Sequence, residues 1–246
     1  MSGIGNTLLK KAHKFVKVVS NSAYRRGLQK GVAAAVEHGR LLKTLTCRTV
    51  VDIGANRGQF ALVAHHCFPE ARILSFEPLA QPAEKFRAVF FGEVGIVLHQ
   101  AAIGPKSGLT LIHVSQRDDS SSLLPITSLQ NNLFPGTALK RTETIRVEPL
   151  STFVTAEDIV SPALLKLDVQ GYELKALKGC GALLPLFDYV YVECSFQELY
   201  AEQAFADEVI GFLQDQGLRL QGVYNMTYDR QGRSVQADFL FGSRRR

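Results

Sequence analysis

From residue 48 onward, short apolar runs alternate with stretches whose apolar residues recur at helical spacing. Strands are predicted at 48–53, 71–76, about 95–102, 163–168, 188–194, 218–224 and 235–241. The run at 108–115 reads as an added strand. Helices fall at 58–68, stopped by Pro69, from about Pro82, after 168 to about Lys178, and at about 204–215. Strands that alternate with helices imply a mostly parallel sheet. The last two strands are separated only by a turn containing Asp229 and Gly232, so they form an antiparallel hairpin. The expected architecture is therefore α/β, a doubly wound, mostly parallel seven-stranded sheet with a terminal antiparallel hairpin. Residues 116–141 are rich in Ser, Asn, Asp and Pro. An irregular stretch that long inside a domain is expected to serve as a lid or binding loop.

Residues 1–47 have a different texture and read as a basic helical extension, with the domain proper at 48–243. Leu8, Leu9, Ala12, Phe15, Val16, Val19 and Ala23 share one helical face, and a second helical stretch is expected near 30–44. The net charge of +5 hides an asymmetry. Residues 1–48 carry ten Lys/Arg against one acid, residues 49–243 fifteen against twenty-two, and three arginines close the chain. An acidic domain argues against a nucleic-acid-binding catalytic face. The basic leader reads as a cover over the domain in preference to a membrane-resting helix, because much of a bulky apolar face is missing.

Lysines at 10, 11, 14 and 17 interrupt any signal-peptide core, and no run approaches the length of a membrane span. Cys47, Cys67, Cys180 and Cys194 form no CxxC pair. They read as free thiols in a reducing compartment, which gives a cytoplasmic expectation. A hydrophobic content of 46% is enough for a sizeable core.

Candidate chemistry collects at the ends of the predicted parallel strands. In Val50-Val51-Asp52-Ile53-Gly54-Ala55-Asn56-Arg57-Gly58 an apolar strand ends in an acid and enters a glycine turn that opens a helix. Glycines let the backbone turn tightly against a ligand, and a helix start offers N–H groups to a carboxylate. Asp52 is expected to answer a ligand ammonium. Nineteen residues past Gly58, Glu77 in Phe76-Glu77-Pro78 stands where nucleotide sites place an acid on the ribose hydroxyls. A dinucleotide loop needs a second glycine at position 56 for the pyrophosphate, and Asn56 occupies it, which weighs against NAD. Asp168 ends the strand 163–168, and Glu193 ends 188–194, so the two are expected side by side at the functional edge. Lys166, in an otherwise apolar strand, needs a partner or a route to solvent.

Together these segments resemble the FkbM-type methyltransferases. The resemblance is carried by Asp52-Ile-Gly-Ala-Asn-Arg-Gly58, Phe76-Glu-Pro78, Ala102-Ile-Gly104, Leu165-Lys-Leu-Asp-Val-Gln-Gly-Tyr-Glu173 and Val192-Glu193 in order. It implies a class I methyltransferase fold, S-adenosylmethionine as donor, and a small-molecule or glycan acceptor methylated on a hydroxyl. On this resemblance Asp52, Gly54, Asn56 and Gly58 match the donor loop, Glu77 the ribose acid and Asp168 the acid after the fourth parallel strand. Basic leader and arginine tail match no family motif.

A hydroxyl acceptor has to lose a proton, which calls for a base. Asp168 is the first candidate and Glu193 the second. Asp118-Asp119 and Asp168/Glu193 are acid pairs, but no His/carboxylate spacing assigns a metal. Two other readings stay open at this point: an NAD-dependent oxidoreductase, and a donor-binding or partner-binding domain without catalysis.

Overall fold

A computed structural model of the protein describes residues 22–243; the leader face at 8–19 and the arginine tail lie outside the described residues. Strands β1 (Thr49–Ile53), β2 (Arg72–Phe76), β3 (Ile96–His99), β7 (Ala163–Leu167) and β8 (Tyr189–Ser195) lie parallel. β9 (Leu218–Tyr228) and β10 (Ser234–Ser243) close the sheet as an antiparallel hairpin in the order β3-β2-β1-β7-β8-β10-β9. The order reverses between β1 and β7, so a crevice opens at their carboxyl ends. β1 and β7 are buried at every position, as strands covered on both faces must be.

Alternation splits the core into two layers. Val51, Ile53, Leu165, Leu167, Val190 and Val192 pack beneath α6 (Glu173–Cys180) and α7 (Ala206–Asp215). On the opposite face Val50, Leu164, Tyr191 and Leu240 meet Phe60 and Leu62 of α3 (Gln59–Cys67). That second layer also takes in Tyr24 of α1 (Ser22–Gln29) and Leu41 and Leu42 of α2 (Gly39–Leu42). Helix α4 (Ala80–Val89) supplies Phe86 and Val89 to the same layer.

Three expectations need correction. The stretch 30–44 is not one helix. Gly31, at φ +75°, turns the chain out of α1, and residues 32–35 run without helix, the Ala35 N–H donating to Gln59 O. The strand at 95–102 ends at His99, and β4 (Ala102–Ile103) joins a second sheet with β5 (Gly108–Ser115) and β6 (Leu139–Glu148), in the order β4-β6-β5. β6 escaped the sequence reading because half of it is charged and most of it is exposed; only Ile145 and Val147 are buried. The irregular stretch at 116–141 therefore ends in a strand. It also holds α5 (Ser128–Leu133), capped by Thr127, whose hydroxyl accepts from Gln130 N–H.

Candidate active site

A cleft of about 520 Å³ opens at the carboxyl ends of β1, β2 and β7, within the range of small-ligand sites. One wall is the turn after β1. Gly54 and Asn56 both have positive φ, +84° and +45°, and both line the cleft. A Cβ on Gly54 would lie 1.9 Å from the Asp168 carbonyl oxygen, so only glycine lets the two strand ends approach. Beside the turn, Glu77 is buried and lines the cleft. Its Oε2 accepts from Asn56 N–H at 3.0 Å and its Oε1 from Leu79 N–H at 2.8 Å. Burial pushes this carboxyl up to about 7 against the pull of those two amides.

The opposite wall is built around Asp168 and Gln170. Asp168, its side chain 38% exposed, accepts from Gln170 Nε2 at 2.7 Å. Gln170 also donates to Glu193 Oε2 at 3.1 Å and accepts from the Tyr200 hydroxyl at 2.6 Å. The Ser122 hydroxyl donates to Gln170 O at 2.6 Å, and the Tyr200 hydroxyl, its one proton turned to Gln170, lies 3.1 Å from Ser120 O. These bonds fasten the 118–122 segment across the cleft, which Ser120, Ser121 and Ser122 line. On its outer side Asp118 pairs with Arg57 at 2.5 Å.

Residues 52–220 match the methyltransferase FkbM domain. The chain belongs to that family. It is similar to Methyltransferase 1 of Beauveria bassiana, 28% identical, the match covering 53% of this chain and 57% of that protein, little more than half its length. It is also similar to the 2-O-methyltransferase NoeI of Sinorhizobium fredii, 25% identical over 73% of this chain and 77% of that one. Among solved structures it resembles a precorrin-6y C5,15-methyltransferase from Geobacter metallireducens, with 12% identity, a TM-score of 0.45 and 83% and 86% of the two chains covered.

S-adenosylmethionine is the cofactor of an FkbM methyltransferase domain. The cleft fits it on one count: each Glu77 oxygen accepts a single N–H and keeps a lone pair for a ribose hydroxyl. On two others the expectations change. Asp52 does not reach the cleft; it is fully buried, and Lys166 stands between it and the ligand space, 3.2 Å from Oδ1. The turn offers no spare N–H groups either. Those of Gly54 and Ala55 donate to Phe76 O, Asn56 to Glu77, Arg57 to the Gln59 side chain and Gly58 to Ala55 O. Gly58 is a packing residue, its α-carbon against the Phe86 and Phe90 rings, because a Cβ there would meet Phe90 at 2.6 Å.

Glu193 is likewise set back from this FkbM cleft. Gln170 holds one of its oxygens and Gln236 Nε2 the other at 2.7 Å, while burial, then Asp168 and Asp238, drives its carboxyl well up. Glu173 accepts from Val169 and Gly171 N–H and serves the start of α6. The sequence reading missed Gln170 and Gln236 as cleft residues, and His38 altogether. Gln170 stood inside the motif; nothing in the local sequence marks the other two. Among the described residues no group of three or more His, Cys, Asp or Glu is disposed to hold a metal ion, and no helix is long and apolar enough to cross a membrane.

Proposed function

We propose that this chain is an S-adenosylmethionine-dependent O-methyltransferase acting on a hydroxyl of a sugar, glycan or secondary metabolite. The observation that carries the reading is a single cleft with Glu77 on one side and the partly exposed carboxylate of Asp168 on the other. The 2-O-methyltransferase name of one relative supports oxygen as the acceptor atom. S-adenosylmethionine bound there would supply an electrophilic sulfonium methyl group for displacement by the acceptor oxygen, with sulfur as the leaving atom.

The protein's part is alignment and proton removal. Glu77 would hold the donor by accepting from its ribose hydroxyls, and the turn at Gly54–Asn56 would give it a wall to pack against. Asp168 faces the acceptor and accepts a hydrogen bond from a hydroxyl beside the reacting one, so the reacting oxygen is held with its lone pair towards the methyl carbon. A carboxylate is a weak base for an alcohol, so Asp168 orients the acceptor and a stronger base takes the proton as transfer proceeds. Glu193, set back from the cleft, fixes Gln170 and through it Asp168.

Calorimetry with S-adenosylhomocysteine, with NAD as comparison, tests the donor. Incubation with methyl-labelled S-adenosylmethionine and a panel of methyl glycosides, read by mass spectrometry, tests the acceptor. Binding of S-adenosylhomocysteine together with a methyl ether product is expected. Binding of NAD alone would overturn the reading in favour of an oxidoreductase, and donor binding without any methyl ether would overturn the O-methyl assignment.

A further inference from the structure

His38 ends a 3-10 turn at Val36–His38 and lines the cleft from outside the span that matches the family. Its ring is held edge-on by Phe60 and Tyr191, with centroids at 5.4 and 5.6 Å. Its Nδ1 lies 3.0 Å from the Tyr191 hydroxyl and 3.5 Å from Asp238 Oδ2. Asp238, on β10, is also outside the matched span.

The hydrogen bonds around this cluster fix where the protons sit. The Tyr191 hydroxyl donates to Asp238 Oδ2 at 2.9 Å. Burial and then Asp238 hold that phenol proton on well above the ordinary tyrosine range. A tyrosine has one proton to give, so its oxygen faces His38 as an acceptor. Asn225 Nδ2 also lies 3.3 Å from Nδ1, but its closer partners are Asp238 at 2.7 Å and Tyr191 at 3.2 Å, which use both amide protons. Nδ1 therefore carries the imidazole proton, and the Nε2 lone pair is left over.

The charged groups around the ring are Asp238 from β10, Asp52 from β1 and, beyond them, Lys166 and Asp168. Burial raises the Asp238 carboxyl, and the hydrogen bonds from Asn225 and Tyr191 pull it back. A neutral imidazole backed through a hydroxyl by a buried acid gains a proton at its far nitrogen with the resulting charge already balanced.

We propose that His38 is the general base of the methyl transfer: Nε2 takes the proton that the acceptor hydroxyl loses, and Asp238, through Tyr191, holds the imidazolium that results. The proposal rests on the O-methyltransferase reading of the cleft. Asp168 orients the acceptor and His38 removes the proton of the reacting hydroxyl, so the acceptor lies between the sheet edge and the segment at 33–38.

The test compares wild type, His38→Ala and His38→Gln. S-adenosylhomocysteine affinity is expected to stay within twofold. Single-turnover methylation of the glycoside accepted by wild type should fall by roughly 10²–10⁴-fold in both variants. Added imidazole should restore His38→Ala at least tenfold and leave His38→Gln unchanged. A second measurement needs no acceptor: ¹⁵N-histidine spectra of the protein saturated with S-adenosylhomocysteine should show neutral His38 protonated on Nδ1. Protonation on Nε2, or His38→Ala turnover within threefold of wild type, would overturn the proposal. S-adenosylhomocysteine that fails to bind wild type overturns the functional reading instead, a result visible before any variant is made.

Discussion

Lys166 Nζ lies 3.2 Å from Asp52 Oδ1, and the two residues are direct partners in the parallel register of β7 and β1. Both side chains are buried, and the ammonium also donates to Gly54 O at 3.3 Å and rests over the Phe60 ring. Burial opposes the charge on Lys166, but Asp52 and Asp168 outweigh it and hold the ammonium above its ordinary range. The pair thus ties the donor turn to the strand that carries Asp168.

Removing one partner should therefore cost stability more than binding. Lys166→Met leaves a fully buried carboxylate alone and is expected to destabilise the fold by about 3–5 kcal/mol, measured by urea unfolding. Adding Asp52→Asn to it should recover part of that loss. A single variant as stable as wild type would show that the pair does not hold the turn.

Donor binding should depend on pH through Glu77. Its carboxyl sits at about 7 in the free protein, raised from 4.5, while ribose hydroxyls favour the ionised form. Affinity for S-adenosylhomocysteine should fall roughly tenfold between pH 8 and pH 6, with proton release seen on comparing buffers. Glu77→Gln should flatten this dependence and weaken binding by about 1.5–3 kcal/mol. An affinity independent of pH in wild type would remove Glu77 from the donor site.

The same shift has a consequence for the unliganded fold. A carboxyl raised in the folded state binds its proton more tightly there than in the unfolded chain, so stability is lost as pH rises from about 4.5 to 7. Glu77 and Glu173, both raised to about 7 chiefly by burial, should each contribute about 3 kcal/mol to that loss. Denaturant melts at pH 5.5 and pH 8 in the absence of donor should show the lower stability at pH 8.

Gly54→Ala tests the close approach of the strands. The new methyl would sit 1.9 Å from the Asp168 carbonyl at a backbone angle that disfavours alanine, so loss of folding or a penalty above about 3 kcal/mol is expected. Circular dichroism and thermal melts of the variant decide it.

Asp168→Asn keeps the shape of the acceptor wall and removes its charge. Because Asp168 is partly exposed and 3.8 Å from Lys166, while Asp52 is nearer, the melting temperature should hold. Single-turnover methylation should drop by about 10²-fold with little change in donor affinity. Near-normal turnover would end its role with the acceptor.

The sequence by itself determined the seven-stranded sheet, the switch point and the glycine turn that opens onto it. Largely apolar strands such as 163–167, the glycine turn after Asp52 and the acid at 77 are local signals, each set by backbone sterics or by spacing along the chain. Its roles for individual side chains were less secure. Asp52 looks like a ligand acid in the sequence, yet register pairs it with Lys166, and a residue on the neighbouring strand, more than a hundred positions along the chain, decides whether a charge is free. β6 was invisible because a strand with one exposed, charged face carries little apolar signal. Only the tertiary structure brings His38 to Tyr191 and Asp238, 153 residues from the one and far beyond it to the other. Neither spacing nor propensity encodes such a meeting; it follows from packing the segment before β1 over the face of the sheet where β8 and β10 adjoin.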